Sequence, residues 1–138
     1  MSERVSTHPI RELSPEGTAV LDRVRAISLA LPGAVEKLAW GTATFRAGDR
    51  MFAHFNDNHH NDGRIAVWCA APPGAQETLI DAAHGRFFRP PYVGHKGWVG
   101  IDLGPGTDWE EVSWVLESAY RFVAPKKLLA GLEDTRTN

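Results

Sequence analysis

From residue 14 onward the chain switches between two hydrophobic periods. Ser14-Pro15-Glu16 opens a segment in which Val20, Val24, Ile27, Ser28 and Leu31 recur at helical spacing. Leu21 widens that stripe, while Asp22, Arg23 and Arg25 lie largely off it, which predicts a helix with one buried face. A hydroxyl cap, a first-turn proline and an early acid are what a helix N-terminus favours. Gly17 stands where a capping-box glutamate would be, which weakens the cap. Pro32-Gly33 ends the helix. The period then drops to two. Residues 42–46, 51–55 and 64–70 are short aromatic or β-branched runs, joined by a tight turn at Ala47-Gly48-Asp49 and a longer one over 56–63 that ends in Asp62-Gly63. In the third run Ile65, Val67 and Cys69 face one way, and Ala66, Trp68 and Ala70 the other. Residues 36–40 supply a further edge strand. Together these runs predict an antiparallel meander.

Ala71-Pro72-Pro73-Gly74 breaks the sheet, and residues 76–83 read as a two-turn helix. An aromatic, proline- and glycine-rich stretch over 84–98 leads into a strand over 98–103, where Val99, Ile101 and Leu103 alternate before Gly104-Pro105-Gly106. Asp108 then caps a helix with Glu111 at capping-box spacing. Its inward face is Val112, Val115, Leu116, Ala119, Phe122 and Val123. Ala124-Pro125 interrupts it, and 126–132 add a final helical turn or two. The fold class is therefore α+β, an antiparallel sheet with N- and C-terminal helices on one face. The division is a loose arm over 1–13, one domain over 14–132 and a tail over 133–138.

Composition narrows the function. A chain of 138 residues is one domain and buries about 68% of its unfolded surface, enough for a core without disulfides. With 15 basic against 17 acidic residues the net charge is -2, so whole-molecule attraction to nucleic acid or anionic lipid is excluded. A single cysteine, Cys69, excludes an intramolecular disulfide and any CxxC motif. With a polar N-terminus and no long apolar run, the expected compartment is the cytoplasm, with no membrane contact.

The strongest local signal is an acid-free stretch between Asp81 and Asp102, where Arg86, Arg89 and Lys96 are joined by His84 and His95 and interleaved with Phe87, Phe88, Tyr92 and Trp98. Basic groups neutralise phosphates and flat rings stack on bases, and a turn over 94–97 presents His95 and Lys96 as a wing. For Phe87, Phe88 and Trp98 burial in the core is the simpler reading, because apolar rings at strand positions are usually buried. Trp40 and Trp68 are candidate pocket-wall residues. His54, Asp57, His59, His60 and Asp62 carry metal-type side chains, but adjacent His59 and His60 cannot easily aim at one ion, so a solvated loop is the simpler reading. Nucleotide-loop and nucleophile-elbow motifs are absent. No catalytic residue, metal or cofactor is assigned.

Four stretches carry a family likeness: Leu29-Ala30-Leu31-Pro32-Gly33 leading to Trp40-Gly41-Thr42 and Phe45-Arg46; Arg50-Met51-Phe52-Ala53; Phe87-Phe88-Arg89-Pro90-Pro91-Tyr92-Val93-Gly94 with Gly97-Trp98-Val99; and Tyr120 with Val123-Ala124-Pro125-Lys126-Lys127-Leu128. In this order and spacing the sequence resembles the MmcQ/YjbR family of small bacterial proteins. That resemblance implies a fold like CyaY (bacterial frataxin) and a predicted double-wing DNA-binding role, and it implies no catalytic set. The 56–62 loop departs from the family pattern in being longer and richer in histidine.

Three functions follow from these readings. The first is a non-enzymatic binding module that engages DNA weakly through Arg86, Arg89, Tyr92, His95, Lys96 and Trp98. The second is a small-molecule or nucleotide-binding protein with a pocket lined by Trp40, Trp68, Tyr92 and Trp98. The third is a protein–protein adaptor. A monomer is the default state.

Overall fold

The computed structural model describes residues 12–59 and 62–137, the side chains of 134–137 excepted. Among these residues the chain forms four α-helices and six strands: α1 (Pro15–Leu29), β1 (Ala34–Ala39), β2 (Thr42–Ala47), β3 (Arg50–Asp57), β4 (Ile65–Cys69), α2 (Ala75–Ala82), β5 (Phe87–Phe88), β6 (Val99–Asp102), α3 (Trp109–Val123) and α4 (Lys126–Thr137). Neighbouring strands are all antiparallel, in the order β1-β2-β3-β4-β6-β5. The meander holds from β1 to β4. The next strand, β5, takes the outer edge, and β6 takes the place beside β4.

Helix α3 lies across β2, β3 and β4, and α1 packs on β1 and α3, so one face of the sheet is covered by helix. Phe45, Phe55, Val67, Val99 and Ile101 meet Val24, Val112, Leu116 and Ala119 there. Burying each large side chain contributes about 1.5–3 kcal/mol. A bulge widens this core. Phe45 pairs with Ala53 and Arg46 with Met51, leaving Phe52 as the extra residue of β3. Phe52, Ala53 and Phe55 therefore all reach the helix side, and His54 is turned to the other. Phe52 meets Tyr120 edge-on at 5.7 Å.

Tyr120 corrects one expectation. It is fully buried and its hydroxyl donates to the Pro32 carbonyl at 2.6 Å, whereas Phe122 is exposed. At 100° per residue the buried stripe centres on Val112, Leu116, Ala119 and Val123, and Phe122 falls just beyond its margin. The tail expected over 133–138 is helical as far as Thr137, because Leu132 is buried and Glu133 pairs with Arg121 at 2.9 Å. Most of the expected arm, residues 1–11, lies outside the described residues.

The weak cap of α1 is repaired from a distance. Ser14 Oγ accepts from the Gly17 N–H at 2.9 Å, while Asp57 of β3 accepts from both the Ser14 N–H (2.9 Å) and Ser14 Oγ (2.8 Å). Asp57 thus does what a capping-box glutamate would do from within the helix. A β-carbon on Gly17 would collide with that carboxylate, which accounts for the glycine. No helix of the described residues is long and apolar enough to cross a membrane.

Candidate ligand site on the open face of the sheet

Opposite the helices, the strand registers set Thr44, His54, Trp68, Gly100 and Phe88 side by side across five strands. Gly100 is required here, since a β-carbon would run into the Phe88 ring, and that ring closes over the glycine beside Trp68. Arg64 places its guanidinium 4.0 Å above the other side of Phe88. The rings continue upward: His54 meets Trp68 at 5.0 Å and Trp40 at 5.4 Å, and His59 meets Trp68 at 5.0 Å and Tyr92 at 5.8 Å. His54 and Trp68 form a buried floor, while Trp40 and Tyr92 are 50% and 63% exposed at its rim.

Both rim rings occupy strained backbone. Ala39 pairs with Thr42, so Trp40-Gly41 is a two-residue hairpin, with φ of 53° and 80°. Two positive φ values define a type I′ turn, whose first position favours asparagine or glycine. A residue with a β-carbon is held there at a cost of about 1–2 kcal/mol. Tyr92 has φ 65°. Bulky residues held at positive φ concentrate at functional sites.

The floor also carries unspent polarity. Thr42 and Thr44 donate to backbone carbonyls at 2.8 and 2.7 Å, and Asn56 donates to the His54 carbonyl at 3.3 Å. Arg46 Nε, His54 Nε2, Arg64 Nη1 and Trp68 Nε1 are buried and have no hydrogen-bond partner among the described residues. Such groups are rare in native proteins, and each lost bond costs about 1–3 kcal/mol. Burial first, then the charges of His59 and Arg46, lowers the His54 pKa to about 4, so its imidazole is neutral near pH 7.

A family model described as YjbR matches residues 29–122. The chain belongs to the YjbR family. Its fold is similar to the crystal structure of Deinococcus radiodurans protein DR2400, a DUF419 domain, with TM-score 0.64 and 22% identity over 75% of this chain and 77% of that one. No curated protein matches the sequence.

In this YjbR domain the pocket-wall residues Trp40, Trp68 and Tyr92 are joined through His54 and His59. Trp98 is half-buried and packs against the core cluster, and its carbonyl accepts from Gln76 Nε2 at 2.5 Å. The basic residues are not equally available. Arg86 forms a two-point pair with Glu111 of α3, at 2.7 and 3.2 Å. An acid absent from the local sequence therefore arrives through the fold, and its hydrogen bonds raise the Arg86 pKa further. Arg89 reaches Gln76 Oε1 at 3.4 Å. His95 and Lys96 stand exposed on a 3-10 turn, Gly94–Lys96, in the loop joining β5 to β6.

Of the metal-type residues, Asp57 is engaged at the α1 cap, and His60 lies outside the described residues. Among the described residues no three such side chains cluster. Cys69 is buried, and burial pushes its thiol pKa up. Sequence reading misses His54 as floor, Arg46 at its side and Gln76 as the tie of the 89–98 loop to α2. The available signal for His54 is its place opposite Trp68 once the two strands are registered.

Proposed function

We propose that this YjbR-family chain is a non-enzymatic binding protein whose open sheet face takes a small planar ring between Trp40 and Tyr92, above His54 and Trp68. The observation that carries this reading is the coincidence of two exposed aromatic residues held at positive φ with a floor whose His54 Nε2 and Trp68 Nε1 lack hydrogen-bond partners among the described residues. Stacking on exposed rings contributes about 1–3 kcal/mol per ring, and Trp40, already in an unfavourable turn conformation, is the rim element that gives way with least loss. Titrating the 15N-labelled protein with indole or adenine should shift the indole N–H signals of Trp40 and Trp68. Trp40→Ala combined with Tyr92→Ala should weaken binding by roughly tenfold or more. Saturating ligand that leaves both signals unmoved would refute the reading.

A second reading is favoured by the exposure of His95 and Lys96 beside Tyr92 in one loop. There a single nucleic-acid strand would stack a base on Tyr92 and lay phosphates along Arg89, His95 and Lys96. Fluorescence anisotropy with a labelled oligonucleotide tests it, and Arg89→Ala with Lys96→Ala should flatten the salt slope by about two. Unchanged anisotropy at low salt sinks it.

A further inference from the structure

Arg46 differs from the ion-paired arginines of this domain. Arg25 holds Asp22 and Glu36, Arg86 holds Glu111, and Arg121 holds Glu117 and Glu133. Arg46, in contrast, projects from β2 onto the open face and is half-buried, with its Nε sealed from solvent and without a hydrogen-bond partner among the described residues. Among the described residues no carboxylate forms an ion pair with it. A guanidinium keeps its charge and all its donors, so the sealed Nε is satisfied by an acceptor alone, and an anionic acceptor suits the charge beside it best. The acids of the two flanking strands are committed elsewhere: Asp57 of β3 to Ser14 and Glu36 of β1 to Arg25.

A second donor on the same face, two strands away on β4, points the same way. An indole N–H only donates, so Trp68 Nε1 is satisfied by an acceptor alone. His54, neutral and close enough for Arg46 to bias its titration, adds no competing positive charge. A guanidinium and an indole donor beside a floor of rings call for a flat molecule rich in acceptor oxygens.

We infer that the ring bound on the open face carries an oxyanion, a carboxylate or a phosphate, with Arg46 as its counter-ion; this rests on the ring site proposed above. The oxyanion accepts from the guanidinium and from Trp68 Nε1, and the ring lies under Trp40.

Paired probes separate charge from shape: indole-3-acetate against indole-3-acetamide, and AMP against adenosine, each followed at the Trp40 and Trp68 indole signals. At least one anion should bind about tenfold or more tightly than its neutral partner, the usual advantage of a charge-assisted hydrogen bond, and the pair showing the larger ratio identifies the oxyanion. Arg46→Met should bring that ratio to about one, and Arg46→Lys should retain part of it. Should Arg46→Met fail to fold, raising salt from roughly 0.05 to 0.5 M should weaken the anion and leave the amide or nucleoside unchanged in the native protein. Equal binding within both pairs overturns the charge assignment while leaving the ring site standing. Silence of all four probes at Trp40 and Trp68 overturns both.

Discussion

The two faces of the sheet come from the same strands and are finished in opposite ways. On the helix side the buried contacts are mainly apolar, the Tyr120 hydroxyl is bonded to the Pro32 carbonyl, and among the described residues Ser28 Oγ is the unpaired buried side-chain atom there. On the open side Arg46, His54, Arg64 and Trp68 each keep one, and the cover consists of rings borne on turns. One face is closed by packing, and the other keeps donors that the described residues leave unsatisfied. Substitutions should therefore separate into those that change stability and those that change binding.

The largest effect belongs to the helix side. Phe52→Ala removes the bulge ring packed against Tyr120 and should cost about 3–5 kcal/mol in urea unfolding, with binding intact in whatever remains folded. An equal loss from an open-face ring would erase the distinction between the faces. The next effect comes from pH. The His54 pKa is lowered in the folded protein to about 4 from an ordinary 6.5, so below pH 6.5 the unfolded chain takes the proton first. Stability from this residue is full above pH 6.5, falls as pH drops, and levels off below about 4. The total is roughly 3 kcal/mol. Subtracting the stability–pH curve of His54→Phe from that of the native chain should isolate this step, and parallel curves would refute it.

The smallest effect is the sharpest. Trp40→Asn gives the type I′ turn its preferred residue, gaining about 1 kcal/mol, and loses ring contact with His54 worth about 0.5–1.5 kcal/mol. The two should nearly cancel, so a large aromatic ring leaves with a stability change within about 1 kcal/mol, read by urea unfolding, while ligand signals vanish. A loss of several kcal/mol would make Trp40 an ordinary packing residue.

What was legible in the sequence was what local chemistry fixes. Ser14 and Asp108 cap their helices as their spacing implies, Gly48 turns β2 into β3, and Val99 and Ile101 alternate inward. What was hidden depended on contacts distant in sequence. Asp57 completes a cap 43 residues away, and Glu111 neutralises Arg86 from another element. The two-residue strand β5 is too short for any periodicity to show. A one-residue bulge at Phe52 decides which way His54 points, and no pattern of hydrophobicity announces it. Of the site, the rings Trp40, Trp68 and Tyr92 were visible as a set. Arg46 was not, because an unpaired charge is recognised only once its neighbours are known.

The Trp40-Gly41 turn bears on how this domain would be altered by selection. To a screen for thermal resistance, position 40 is nearly silent, and asparagine there would pass unnoticed or be preferred. To a screen for ligand, the same change is decisive. Positions where the two rankings diverge would outline the open-face site without reference to any structure, and the hairpin predicts that Trp40 heads that set.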